Sequence, residues 1–144
     1  MASKLPPRTD KPVKLKDIKL PKLKERFRLC VRLRDSHKTE GYGICITCGA
    51  RLHYKDANGG HFDHNKNANY FDERNCHFQC IPCNFGGLGE QYRYGLFLIK
   101  TYGEGTPEEI KANGKKYRSF GREEKRKMWK EYGDRITYYE SSLP

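Results

Sequence analysis

Cys76-His77-Phe78-Gln79-Cys80-Ile81-Pro82-Cys83-Asn84 closes on a C-x-x-C pair, and 31 residues separate it from its match, Cys45-Ile46-Thr47-Cys48. Two short loops that each offer two thiolates are what tetrahedral zinc requires, with each sulfur ~2.3 Å from the ion. Four protein ligands leave no open position for water, so Cys45, Cys48, Cys80 and Cys83 read as ligands of a structural Zn²⁺. The first pair sits in Gly41 to Gly49, a β-like run punctuated by glycine as in a zinc knuckle. A simple ribbon or finger has only ~15 to 20 residues between its pairs, so something further is built between these knuckles. Cys30 and Cys76 fall outside the scheme and read as small buried apolar residues.

The intervening segment is rich in reactive side chains. It holds Gly60-His61-Phe62-Asp63-His64 and then Phe71-Asp72-Glu73-Arg74-Asn75. Histidines, asparagines and acids at this density are odd choices for a core. Phosphodiester hydrolysis needs a base to activate water, a divalent ion at the scissile phosphate and nearby positive charge, and these residues could supply all three. Asn58-Gly59-Gly60 is a hairpin-like turn signal.

The 144 residues suit one compact domain with tails, and 35% hydrophobic against 33% charged leaves a thin apolar supply that favours a metal staple. Net charge is +11, and residues 1–38 carry 13 Lys or Arg against 4 Asp or Glu. Such a segment attracts polyanions by counterion release, with a solvated tail as the plainer reading. Few aromatic anchors argue against a membrane surface, and no stretch approaches the ~20 apolar residues of a span or the apolar run of a signal peptide. The expectation is an intracellular protein, where C-x-x-C pairs bind metal rather than form disulfides.

Residues 1–20, rich in Lys and Pro, read as a flexible basic arm. From Pro21, the spacing of Leu23, Phe27, Cys30, Val31 and Arg34 predicts a helix to about Arg34, with Lys24, Arg28 and Arg32 on another face, positioned to follow a phosphate backbone. Gln91 to Tyr102 reads as a helix through Tyr94, Leu98 and Tyr102. A capping-box pattern at Thr106 opens a short helix that Asn113-Gly114 ends, and Arg122 to Tyr132 makes a last helix anchored by Met128, Trp129 and Tyr132. Tyr92, Tyr94, Tyr102, Tyr138 and Tyr139 read as packing residues, and His37 and His53 as surface residues.

Taken in order, Val31-Arg32-Leu33-Arg34-Asp35, Cys45-x-x-Cys48-Gly49, Gly60-His61-Phe62, Phe71 to Asn75, His77-x-Gln79-Cys80-x-x-Cys83-Asn84 and Tyr94 to Gly103 resemble the HNH (ββα-metal) nucleases, specifically the phage NinG (Rap) type of recombination endonuclease. The resemblance implies an α+β fold: a small zinc-stapled ββα-metal core over 21–105, with an N-terminal helix, a helical extension over 106–144 and the arm over 1–20. It implies a hairpin and a helix facing each other across one catalytic Mg²⁺ or Mn²⁺. His61 would be the general base, Asn75 a brace for the hairpin loop, and Asn84 a metal ligand through its side-chain oxygen.

Two assignments stay open. Side-chain alternation along a strand puts His61 and Asp63 on one face, making Asp63 a metal ligand, whereas many HNH enzymes use an Asp-His pair, which here would be Asp63 with His64 as base. His77 is either a third ligand or phosphate contact, or a histidine bonded into the knuckle wall. Arg74 and Arg93 join Lys24, Arg28 and Arg32 as candidate DNA contacts. The functional expectation is a DNA endonuclease acting on branched, Holliday-junction-like intermediates in the cytoplasm of a phage-infected bacterium, with two active sites and hence a homodimer. A non-catalytic zinc module that binds nucleic acid is the second reading. A zinc-stabilised protein-interaction domain, the third, leaves the N-terminal charge unexplained.

Overall fold

The structure, a computed structural model, describes residues 17–64, 68–86 and 90–144; the expected basic arm lies outside them as far as residue 16. The first helix, α1, spans Leu20–Arg34 with Pro21 in its first turn, where the missing N–H costs no helical bond. Leu23, Phe27, Cys30, Val31 and Leu33 are buried, each large apolar side chain contributing roughly 1.5–3 kcal/mol. Arg32 and Arg34 suit the negative end of the helix. Asp35 follows, its carboxylate accepting from Arg34 and from the backbone N–H of Phe78 at 3.1 Å, which ties the end of α1 to a distant strand.

Among the described residues, four short strands follow. β1 (Tyr42–Ile44) pairs antiparallel with β2 (Arg51–His53), and β3 (Ala57–His61) pairs antiparallel with β4 (Cys76–Cys80), placing His61 opposite Cys76 and Ala57 opposite Cys80. The two ribbons are separate sheets, yet the Ile46 N–H donates to the Phe78 carbonyl at 3.1 Å. After β4 comes one π-helical turn, Pro82–Gly86, then α2 (Gln91–Tyr102), α3 (Thr106–Gly114) and α4 (Arg122–Glu140).

This is an α+β fold. α1 lies against the β3–β4 hairpin and α4 against α1, so Phe27, Val31 and Phe78 share a core with Tyr132 and Ile136 of the C-terminal helix. A second cluster, Phe62, Tyr94, Leu98 and Ile110, joins the loop after β3 to α2 and α3. Among the described residues no helix is long and apolar enough to cross a membrane.

Several elements differ from expectation. Asn58-Gly59-Gly60 is no turn but the middle of β3. Its glycines are there because neighbours come close: a Cβ at Gly59 would stand 3.3 Å from the Arg28 backbone, and one at Gly60 only 1.8 Å from Gln79 Oε1. Thr106 is not a capping residue: Gly105 takes the cap position in a left-handed conformation, and Thr106 begins the helix buried. α4 runs past Tyr132 to Glu140 through Gly133, where the Arg26 guanidinium fills the space of a side chain. Of the tyrosines expected to pack, Tyr92 and Tyr138 are 80% and 67% exposed.

Candidate metal centre and active-site cleft

The turn after β1 is held by hydrogen bonds from the Gly49 N–H to the Cys45 carbonyl (2.9 Å) and from the Cys45 N–H to the Ala50 carbonyl (2.8 Å). It presents Cys45 and Cys48 towards Cys80, the last residue of β4, and Cys83, in the π-helical turn. The four sulfurs lie within 4.8 Å of one another, with Cys48 and Cys80 3.7 Å apart. A tetrahedron with ~2.3 Å metal–sulfur bonds has edges of about 3.8 Å, so the cluster could hold an ion such as zinc. Against the upward push of burial, the Thr47 hydroxyl and backbone groups of Cys80 and Cys48 hold the Cys45 thiol below its usual range. Burial and the neighbouring sulfurs push Cys80 up. Four thiols this close favour a cation that lets all of them ionise. Cys30 and Cys76 are buried outside the cluster, where burial raises both thiols.

A cleft of about 600 Å³ runs along β3, and its walls include Arg28, Asn58, His61, Asp63, His64, Tyr70 and Asn84. His61, at the end of β3, is 8% exposed. Its Nε2 lies 2.9 Å from the backbone carbonyl of Tyr70, and its ring centroid 4.2 Å from the Tyr70 ring. A carbonyl only accepts, so Nε2 carries the hydrogen and Nδ1 the lone pair. Burial pushes the imidazole down to about 4, outweighing the carbonyl's upward pull, with Arg28, His64 and Lys24 lowering it further. The ring is neutral at pH 7.

Three asparagines frame His61. Asn75 is fully buried: its Oδ1 accepts from the Asp63 N–H at 2.7 Å, and its Nδ2 donates to the carbonyls of Asp63 and Asn69, both at 3.1 Å. Its one side chain closes the long connection between β3 and β4. Asn69 donates to Asp63 Oδ2 at 2.7 Å and to the Ile110 carbonyl at 3.0 Å, linking that connection to α3. Asn84 sits on the π-helical turn with Oδ1 3.0 Å from where a Gly60 Cβ would stand, so it reaches over the strand that ends in His61.

The alternation argument for Asp63 does not apply, because β3 stops at His61. Asp63 lines the cleft all the same, as does the exposed His64. His77 does not. It is 3% exposed on β4, with Nδ1 3.1 Å from the Tyr94 hydroxyl and Nε2 2.8 Å from the Tyr102 hydroxyl. Tyr94 donates its own hydrogen to the Gly60 carbonyl at 2.7 Å, so His77 donates from Nδ1 and accepts at Nε2. With both nitrogens occupied, His77 is a bonded wall residue and not a ligand of the cleft.

The arginines expected on DNA divide similarly. Arg28 lines the cleft and donates to the Tyr70 hydroxyl, while the Lys24 ammonium lies 4.6 Å from the Tyr70 ring centre. Arg32 instead turns inward to the Tyr54 carbonyl at 2.9 Å. Arg74 is held by Asp72 at 3.1 Å and Glu109 at 3.2 Å, and Arg93 is exposed on α2, so neither lines the cleft. His37 bonds Ser142 Oγ at 3.3 Å, and His53 caps its own turn. The sequence reading missed Tyr70. Nothing in a sequence marks it, since the group that fixes the His61 tautomer is a backbone carbonyl that any residue carries.

The sequence model of the family described as Bacteriophage Lambda NinG protein matches residues 10–140. The chain belongs to the NinG family. The ninG proteins of Salmonella phage P22 and Escherichia phage 933W are each 36% identical to it over 76 residues, 51% of this chain and 37% of theirs. That of Escherichia phage lambda is 34% identical over the same length. The matched stretch thus spans little more than a third of these NinG relatives. No solved structure matches the chain.

Proposed function

We propose that this NinG-family chain is a metal-dependent HNH-type nuclease that hydrolyses DNA phosphodiester bonds at branched recombination intermediates in the phage-infected cell. The observation that carries the reading is His61: a buried, neutral imidazole whose Nε2–H is committed to the Tyr70 carbonyl, leaving Nδ1 as a base in a cleft shared with Arg28, Asp63 and Asn84. The reading is supported by the order of the elements: a strand ending in that histidine, its antiparallel partner and then a π-helical turn bearing Asn84.

In this reading the Nδ1 lone pair takes a proton from a water whose oxygen attacks phosphorus. The bond from phosphorus to the leaving sugar oxygen breaks, and that oxygen takes a proton from solvent. Arg28, oriented by the Tyr70 hydroxyl, and Lys24 balance the phosphate charge. The Asp63 carboxylate and the Asn84 side-chain oxygen, both in the cleft wall, form a hard donor set suited to Mg²⁺ or Mn²⁺. Such an ion, when bound, stabilises negative charge on the phosphate and the leaving oxygen. Asn75 holds the loop that positions Tyr70 and Asp63, and the four-cysteine cluster, with zinc bound, anchors the turn that carries Asn84. A junction presents two scissile strands, which suits a homodimer.

The test is cleavage of labelled linear, single-stranded and four-way-junction DNA in Mg²⁺, Mn²⁺ or EDTA by the wild type, His61→Ala and His64→Ala. Metal-dependent cutting of the junction, lost only in His61→Ala, supports the assignment. Loss only in His64→Ala transfers the base to the Asp63-His64 pair. DNA binding without cutting in any metal leaves a zinc-containing binding module instead of an enzyme.

A further inference from the structure

We infer that the groove between the start of α1 and α4, remote from the cleft, binds single-stranded nucleic acid, with a base against Trp129 and the flanking phosphates among Lys19, Lys22, Lys127 and Lys130. The groove encloses about 810 Å³. Its apolar lining comes chiefly from Ile18 and Trp129, and the four lysines around them are all exposed. An aromatic surface inside a ring of cations matches a ligand that alternates flat bases with phosphates, and stacking on it is indifferent to which base is present.

The groove's acids leave this positive rim largely intact. Asp17 is engaged by Arg122 and Arg126, and Glu123 by Arg126. The pairs Lys22–Glu25 and Lys130–Asp134 lie among side chains that are 65–79% exposed, and contacts of that kind yield readily to a phosphate.

The groove also differs in direction from the cleft. On an α-helix, residues two apart point about 200° from each other. Lys22 and Arg26 therefore project opposite to Lys24 and Arg28. Arg26 turns to the α4 side, donating to the Trp129 carbonyl at 3.0 Å and stacking 4.0 Å from its ring centre, whereas Lys24 and Arg28 turn to Tyr70 and the cleft. One helix thus presents cations to two sites, and a strand in the groove leaves the His61 cleft open to a second segment.

Trp129 is the chain's single tryptophan, so its fluorescence reports on the groove alone. The zinc-loaded full chain, in buffer free of chelator, Mg²⁺ and Mn²⁺, is titrated with a dT12 oligonucleotide, an abasic 12-mer and poly-glutamate, and the same titrations are run on Lys127→Glu/Lys130→Glu and His61→Ala. The expected result is saturable quenching by dT12 but not by the abasic strand. It weakens as salt rises, its midpoint moves at least about tenfold in the double charge reversal, and it is unchanged in His61→Ala. A melting curve checks that the charge-reversed protein is folded. No saturable quenching, equal quenching by the abasic strand, equal quenching by poly-glutamate, or a folded charge reversal that binds like the wild type each overturns the inference. The readout involves no cleavage, so the groove can succeed where the nuclease reading fails, and the reverse.

Discussion

A single missing methyl at position 60 lets two side chains cross the strand that ends in His61. Gln79 and Asn84 both reach over Gly60, and Gln79 is fully buried, so it has nowhere to retreat. Gly60→Ala is therefore expected to cost about 1–3 kcal/mol, as overpacking does, read as a lower urea midpoint, and to displace Asn84 from the cleft. His77 governs a different property. Burial, with Arg34 and His61 adding to it, holds its imidazole down to about 3 in the folded chain, against about 6.5 when unfolded. The unfolded chain takes up a proton below pH 6.5 that the folded chain refuses, so this stability is complete above pH 6.5 and drains away as pH falls towards 3. The loss between pH 7 and 5 is about 2 kcal/mol for such a histidine. His77→Gln should flatten the fall in the urea midpoint over that range, even if it starts lower. An unchanged slope would mean that His77 is protonated in the fold.

At the scale of elements, legibility depended on whether the cause lay nearby in the chain. α1 and α2 could be read because Leu23, Phe27, Val31, Tyr94 and Leu98 repeat at the helical period, and that period is a local property. The cysteine pairs could be read because ligand spacing is local too. Asn58-Gly59-Gly60 misled because its glycines answer to Arg28 and Gln79, from α1 and β4. The same holds for Arg32 and Arg74, whose partners Tyr54 and Glu109 are 22 and 35 residues away. His61, Asp63 and Asn84 did come together at one cleft, but the Tyr70 carbonyl that sets the tautomer could not have been foreseen. The element most dependent on something besides its own residues is the β1–β2 ribbon, three residue pairs long. Ribbons of that size are marginal alone. Titration is expected to give one zinc per chain. A thiol-competing chelator should lower the melting temperature by on the order of 10 °C or more. A chelator with no effect on melting would show that the ribbon stands by packing alone.

Across the whole molecule, the cysteine cluster joins two stretches of chain on either side of the segment that carries His61 and Asp63: residues 45–48 before it and 80–83 after it. With an ion in place the chain is a closed ring there, whatever happens to the peptide bonds in between. A protease cut in the connection between β3 and β4, residues 62–75, would divide the chain into two polypeptides, each supplying two of the four sulfurs. The α1–α4 seam spans the same division, since α1 precedes the cut and α4 follows it. Such a nicked protein should run as two bands under denaturing conditions yet elute as one species on a sizing column, and addition of chelator should weaken that association. The break would be topologically silent for as long as the metal stayed bound.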